Sequence, residues 1–318
     1  SEGLKRKISM FTNVEEEAVI SAHNVKHTIY EIPVSFEKQD LDKIIFKKLD
    51  IKTKVVNGKI REWEKLINGY INADVTVKIG IVGKYIELHD SYKSVFEALV
   101  HAGIKNCVKI ELVKIDSEML ETGDISILDT VHGILVPGGF GQRGIEGMII
   151  AVKHARTHNI PYFGICLGMQ MMVIEYSRNV LGLEGAHSTE CAPSTPHPVI
   201  SLLEEQENVK TMGGTMRLGA NQSRLTRGTR IFEFYGEEMI PERHRHRYEV
   251  SNAYRDVLEK HGLCISGTTA GNELVESVEW KAPGWGIGVQ FHPEFKSRPI
   301  SPHPIFYNFV KECTKSCV

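Results

Sequence analysis

The stretch Gly164-Ile165-Cys166-Leu167-Gly168-Met169-Gln170 decides the fold, because it sets a thiol at the point where a buried strand turns into a helix. Upstream, residues 160–165 form a short apolar run with aromatics that predicts a core strand. Downstream, Met172, Val173 and Tyr176 recur with helical spacing over 169–178. A side chain at so sharp a turn is lifted clear of the backbone, and the amides that open the helix point at whatever it attacks and favour a thiolate. Outward from this turn, strand and helix patterns alternate: strands over 75–82, 108–115 and 133–136, helices over 91–101 and 145–158. That alternation predicts βαβ units, hence an α/β fold with a mostly parallel central sheet flanked by helices. Segments 199–203, 215–218, 247–251, 274–280 and 286–291 read as strands with short turns, which suggests antiparallel additions. A closing helix is expected over 303–314.

Composition narrows the function classes. The 318 residues carry 38 Lys plus Arg against 40 Asp plus Glu, a formal charge of −2, mixed along the chain. There is no basic field for nucleic acid. No run of about 18 apolar residues marks a membrane span, and the first residues lack the apolar core of a secretory signal, so a cytoplasmic protein is expected. Six cysteines, none in a C-x-x-C pair, are too sparse for a disulfide scaffold, and no metal site is expected.

A cysteine between two glycines also suits an ordinary core position. The reading turns on a second stretch, Gly288-Val289-Gln290-Phe291-His292-Pro293-Glu294-Phe295, which carries an imidazole and a carboxylate two positions apart after an apolar run. In extended backbone such positions face the same side, and Pro293 fixes the chain between them. Cys166 as nucleophile, His292 as base and Glu294 to set the imidazole tautomer complete a catalytic set. Gly138-Gly139, ending a strand, and the Leu167 amide can hold the negative charge that forms on the oxygen of an attacked carbonyl.

These two stretches, with Val136-Pro137-Gly138-Gly139-Phe140-Gly141, resemble the class I glutamine amidotransferases. More narrowly, Val82-Gly83-Lys84-Tyr85, Gly213-Gly214-Thr215-Met216-Arg217-Leu218-Gly219 and Glu242-Arg243-His244-Arg245-His246-Arg247-Tyr248-Glu249-Val250 are similar to the C-terminal half of the CTP synthase family. The resemblance runs from about Leu4 almost to the C terminus. It implies that residues 1–51 are the end of an amidoligase domain, 52–74 a linker and 75–318 the amidotransferase domain.

The resemblance also implies site residues. Glutamine would be met by Gly139, Leu167, Gly168, Met169 and Gln170, with Glu190 and Arg247 taking its α-amino and α-carboxylate groups. Read alone, Glu190 is a solvated loop carboxylate and 243–247 an exposed basic strand. The segments 213–219 and 221–227 look like a basic, mobile loop, which in the family belongs to a GTP-responsive lid; Arg217 and Arg224 are candidates there. Lys7 corresponds to a pyrimidine-nucleotide contact, and His23, Asn24 and Val25 to an ATP-contacting stretch, although Asn24 stands where the family usually has Asp.

Implied for the full enzyme are ATP with Mg2+, GTP as allosteric activator, and a tetrameric homo-oligomer. No G-x-x-x-x-G-K-[ST] loop occurs here, so this chain is expected to perform only glutamine hydrolysis and to need the missing amidoligase domain to aminate UTP. Two other classes stay open. One is a stand-alone γ-glutamyl hydrolase, against which the 213–219 segment speaks. The other is a non-catalytic regulatory or filament module in which Cys166 is a core thiol.

Overall fold

A computed structural model describes residues 2–52, 58–86, 88–202, 216–281 and 284–317. The chain divides into two compact units, residues 1–73 and 74–318. In the larger unit the first four strands are β1 (Thr76–Gly83), β2 (Lys109–Asp116), β3 (Gly133–Val136) and β4 (Tyr162–Ile165). Then come β5 (His187–Ser188), β6 (Pro198–Ser201), β7 (Arg217–Leu225), β8 (Met239–His246), β9 (Glu249–Val250), β10 (Leu263–Thr269), β11 (Val275–Trp280) and β12 (Gly286–Val289).

One sheet runs in the order β2-β1-β3-β4-β12-β11-β10-β7-β8. From β2 to β12 the neighbours are parallel, and from β12 to β8 they are antiparallel. The central strands are buried on both faces, which is why β3 and β4 read as continuous apolar runs with no alternation. Strands β5, β6 and β9 form a small second sheet.

The smaller unit has helices α1 (Glu2–Thr12), α2 (Ile32–Glu37), α3 (Leu41–Lys48) and α4 (Gly58–Ile71), and the larger α5 (Lys93–Asn106), α6 (Ser117–Leu120), α7 (Ile145–Thr157) and α8 (Leu167–Asn179). Residues of α7 and α8, among them Met148, Val152, Met171 and Val173, bury one sheet face with Ile134, Val136 and Tyr162. On the other face α5 and the helix Pro304–Cys313 pack Leu99, Phe306 and Phe309 against Leu135, Phe163 and Ile165. Burying each such aromatic contributes about 1.5–3 kcal/mol. Gly168 lets α8 settle on β3: a Cβ there would lie 2.1 Å from the Val136 carbonyl oxygen.

The sequence also suggests a 30–34 segment broken at Pro33, but the proline does not break the chain's course. It sits in the first turn of α2, where a missing N–H costs nothing. Within the expected connector, where 63–70 reads as helical, residues 58–71 form a 14-residue helix, α4. Of the two readings of this stretch, a strand at 215–218 and a mobile loop at 213–219 and 221–227, the strand holds and extends over 217–225 as β7, paired with β8 from Arg217↔His246 to Arg224↔Met239. Residues 213–215 of that segment lie outside the described residues. The basic run at 243–247 is not wholly exposed: β8 alternates, with Glu242, His244 and His246 buried and Arg243 and Arg245 out. Among the described residues no helix is long and apolar enough to cross a membrane.

Candidate active site

Register brings the site together. Val136 pairs with Gly164, and Ile165 with Val289, so β3, β4 and β12 end side by side. Their continuations, Pro137-Gly138-Gly139, Cys166 and Gln290-Phe291-His292, therefore emerge at one carboxyl edge of the parallel strands, where open α/β sheets place their ligands.

Cys166 caps α8 with φ 50 and ψ −98, a backbone conformation unusual for any residue but glycine. The strain fits a residue held at a sharp elbow. Its amide donates to Val289 O at 2.7 Å, which ties the elbow to β12. The thiol is 3% exposed; Gln290 Nε2 lies 3.5 Å from Sγ, and the Arg245 carbonyl is 3.9 Å away.

His292 Nδ1 and Glu294 Oε1 are 2.8 Å apart, and the His292 amide donates to Arg243 O at 2.8 Å. His292 Nε2 is buried without a hydrogen-bond partner among the described residues, and no thiol–imidazole hydrogen bond of normal geometry forms. Both groups border Gly138. A Cβ on Gly138 would lie 2.8 Å from the His292 ring and 3.5 Å from the Cys166 Cβ. Burial works against an imidazolium, but the sulfur of Cys166 and the carboxylate of Glu294 outweigh it and raise the His292 pKa to about 10.

Two recesses open on Cys166. A narrow one of about 20 Å³ is lined by Gly139, Phe140, Gln170, Glu190, His246, Arg247 and Tyr248. The wider, about 310 Å³, is lined by residues that include Tyr85, Tyr92, Gly138, Arg245, His292 and Phe295. Of the expected glutamine contacts, Gly139, Gln170, Glu190 and Arg247 thus share the narrow recess with the thiol. Leu167, Gly168 and Met169 turn their side chains or Cα into the core, so only their backbone can face a ligand. Gln170 Nε2 donates to Tyr248 O at 3.1 Å, and Glu190 Oε1 accepts from the Gly141 amide at 2.9 Å. In the smaller unit His23, Asn24 and Val25 line a separate cleft of about 440 Å³ with Glu31, Ser35 and Lys38. Lys7 lies exposed on α1, outside that lining.

Sequence reasoning passed over a buried ionic cluster behind the narrow recess. Arg217 Nη1 reaches Glu276 at 2.8 Å and Glu249 at 3.3 Å. His244 and His246 share a ring contact at 3.0 Å, and each lies against one of those carboxylates. Burial lowers the pKa of His244 to about 3 and holds that of His246 well below its usual range. Period-two alternation in Glu242-Arg243-His244-Arg245-His246 was the available signal.

The chain matches the family model described as "Glutamine amidotransferase class-I" over residues 87–312 and that described as "CTP synthase N-terminus" over 1–51. It is 49% identical to a curated CTP synthase of Aquifex aeolicus over 98% of this chain and 58% of that protein. A CTP synthase of Ruminiclostridium cellulolyticum is likewise 49% identical, over 98% of this chain and 58% of the relative. The chain therefore spans a little under three-fifths of the relatives it matches. A solved structure, "Trypanosoma brucei CTPS - glutaminase domain with bound acivicin", is 40% identical with a TM-score of 0.71, covering 75% of this chain and 94% of that one. A nucleophile elbow at the edge of a parallel sheet, found in a chain with these relatives, leaves one assignment: this chain belongs to the class I glutamine amidotransferases, in their CTP synthase branch.

Proposed function

We infer that the chain hydrolyses glutamine to glutamate and ammonia, with Cys166, His292 and Glu294 as its catalytic residues. The observation that carries this is the 2.8 Å His292–Glu294 contact, which holds one ring nitrogen and leaves the other for the strained, helix-capping thiol. His292, as an imidazolium, holds the proton drawn from Cys166, and the thiolate attacks the γ-carboxamide carbon. The C=O pair moves onto oxygen, beside the Gly139 and Leu167 amides. As the tetrahedral species collapses, the C–N bond breaks and His292 returns its proton to the leaving ammonia. Water then adds to the thioester, His292 again relaying the proton, and glutamate leaves with the thiol restored. Glu190 and Arg247, on the rim of the narrow recess, supply the opposite charges that an α-amino acid head group needs.

In a protein of the relatives' length, the ammonia would aminate a UTP activated by ATP, with Mg2+ as metal, GTP as activator and a tetramer as assembly. The cleft at His23, Asn24 and Val25 supports a nucleotide contact in the smaller unit. Among the described residues no group of three or more His, Cys, Asp or Glu could hold a metal ion. Apolar side chains left open in the smaller unit, Met10 at 77% and Phe11 at 89%, suit a surface that packs on further synthase sequence. Six free cysteines favour a reducing compartment such as the cytoplasm.

An electrophilic glutamine analogue is expected to add once to the chain, at Cys166 and at none of the other five cysteines, by intact mass and peptide mapping. Labelling elsewhere, or none, would overturn the assignment.

A further inference from the structure

The motif Val82-Gly83-Lys84-Tyr85 has no part in the chemistry above, yet it delivers a buried cation to the active site. Lys84, next after β1, is 4% exposed. Its ammonium donates to Phe140 O at 3.1 Å and also to Gly141 O. Phe140 O and the Gly141 N–H belong to the same peptide unit, and that N–H donates to Glu190 Oε1 at 2.9 Å. The Phe140–Gly141 peptide is therefore gripped on its carbonyl side by a cation and on its amide side by an anion. Arg245 lies over the Phe140 ring at 5.6 Å, and Arg143 in turn holds the Lys84 carbonyl at 2.6 Å. A Cβ on Gly139 would lie 4.0 Å from Lys84 Cε and 3.2 Å from Leu167 Cδ2, so the lysine stem runs beside the very backbone that faces Cys166.

We propose that Lys84 is a positioning residue for glutamine hydrolysis: with Glu190 it clamps the Phe140–Gly141 peptide and so fixes the Gly139 amide where the substrate oxygen becomes negative. This rests on the glutaminase reading of the site. A buried ammonium is costly, and burial does lower the Lys84 pKa. An exposed glycine-rich turn left to itself would sample many orientations of its N–H groups, whereas an oxyanion donor serves only if its direction is set before the charge appears. The cation is thus spent on pre-organisation; it touches no reacting atom.

The test separates oxyanion support from nucleophile integrity. Iodoacetamide alkylates a thiolate by displacing iodide and needs no oxyanion donor. The γ-aldehyde analogue of glutamine instead adds the Cys166 sulfur at its carbonyl carbon and places the resulting alkoxide beside Gly139. In the whole chain, Lys84→Met is expected to lower kcat for glutamine about a hundredfold with KM nearly unchanged, and to weaken aldehyde inhibition in parallel. Iodoacetamide should alkylate Cys166 at the wild-type rate. Unchanged kcat and aldehyde inhibition would overturn the proposal, as would an equal loss with both probes, which marks a collapsed site. If Lys84→Met does not fold by circular dichroism, Lys84→Arg, which keeps the charge with a different reach, decides by the same rule: unequal losses support the clamp and equal losses or none refute it. A wild-type chain that neither hydrolyses glutamine nor binds the aldehyde would overturn the glutaminase reading and the clamp with it; a reactive wild type matched by its Lys84→Met variant overturns the clamp alone.

Discussion

At the scale of single residues, the two members of the His292–Glu294 pair are not equal partners. In the proposed mechanism the imidazole moves protons in both halves of the reaction, whereas the carboxylate, at Nδ1, holds the ring and stabilises its charged form. His292→Ala is expected to lower kcat by about 10⁴-fold, and Glu294→Ala by roughly a hundredfold, with steady-state ammonia release as the measure. Equal losses would mean that the carboxylate does more than orient. Both residues were legible in the sequence because Pro293 restricts the backbone between them. The Glu190–Gly141 contact was not legible, since it joins loops 49 positions apart.

At the scale of elements, β8 shows how one strand serves two environments. Its outward arginines gave the run a solvated look, while Glu242, His244 and His246 turn into the protein. There His246 meets Glu249 on β9 and His244 meets Glu276 on β11, both carboxylates being held by Arg217 on β7, while Glu242 pairs with Lys296 and His303. Burial, against the pull of Arg217 and with the push of Glu276, raises the Glu249 pKa from 4.5 to about 8. The folded state then keeps a proton that the unfolded chain releases, so this group's stabilising contribution is complete below pH 4.5 and is lost as pH rises to about 8. Glu249→Gln removes that titration. Its melting temperature, compared with wild type, should improve by about 5 °C between pH 4.5 and pH 8.5 in thermal scans. A difference that stays constant across that range would show that Glu249 titrates normally.

At the scale of the whole molecule, the unit 74–318 holds the sheet, both apolar layers and every residue of the proposed glutaminase site. Expressed alone, 74–318 is expected to unfold in one cooperative transition and to label at Cys166 as fast as the whole chain. The unit 1–73, with Met10, Phe11 and Leu49 largely exposed, should show no cooperative transition alone. Slow labelling of 74–318 would mean that the smaller unit supports the site. The sequence by itself determined the α/β class, the elbow at Cys166 and the pairing of His292 with Glu294, because apolar periodicity, turn chemistry and spacing of two residues are local properties of a chain. Only the tertiary structure decided that β3, β4 and β12 end in register, that β7 extends as a strand over 217–225, and that Lys84 and Glu190 grip one peptide. Those facts depend on which strands become neighbours, and neighbours in a sheet are chosen by burial summed over the whole fold rather than by any short stretch of it.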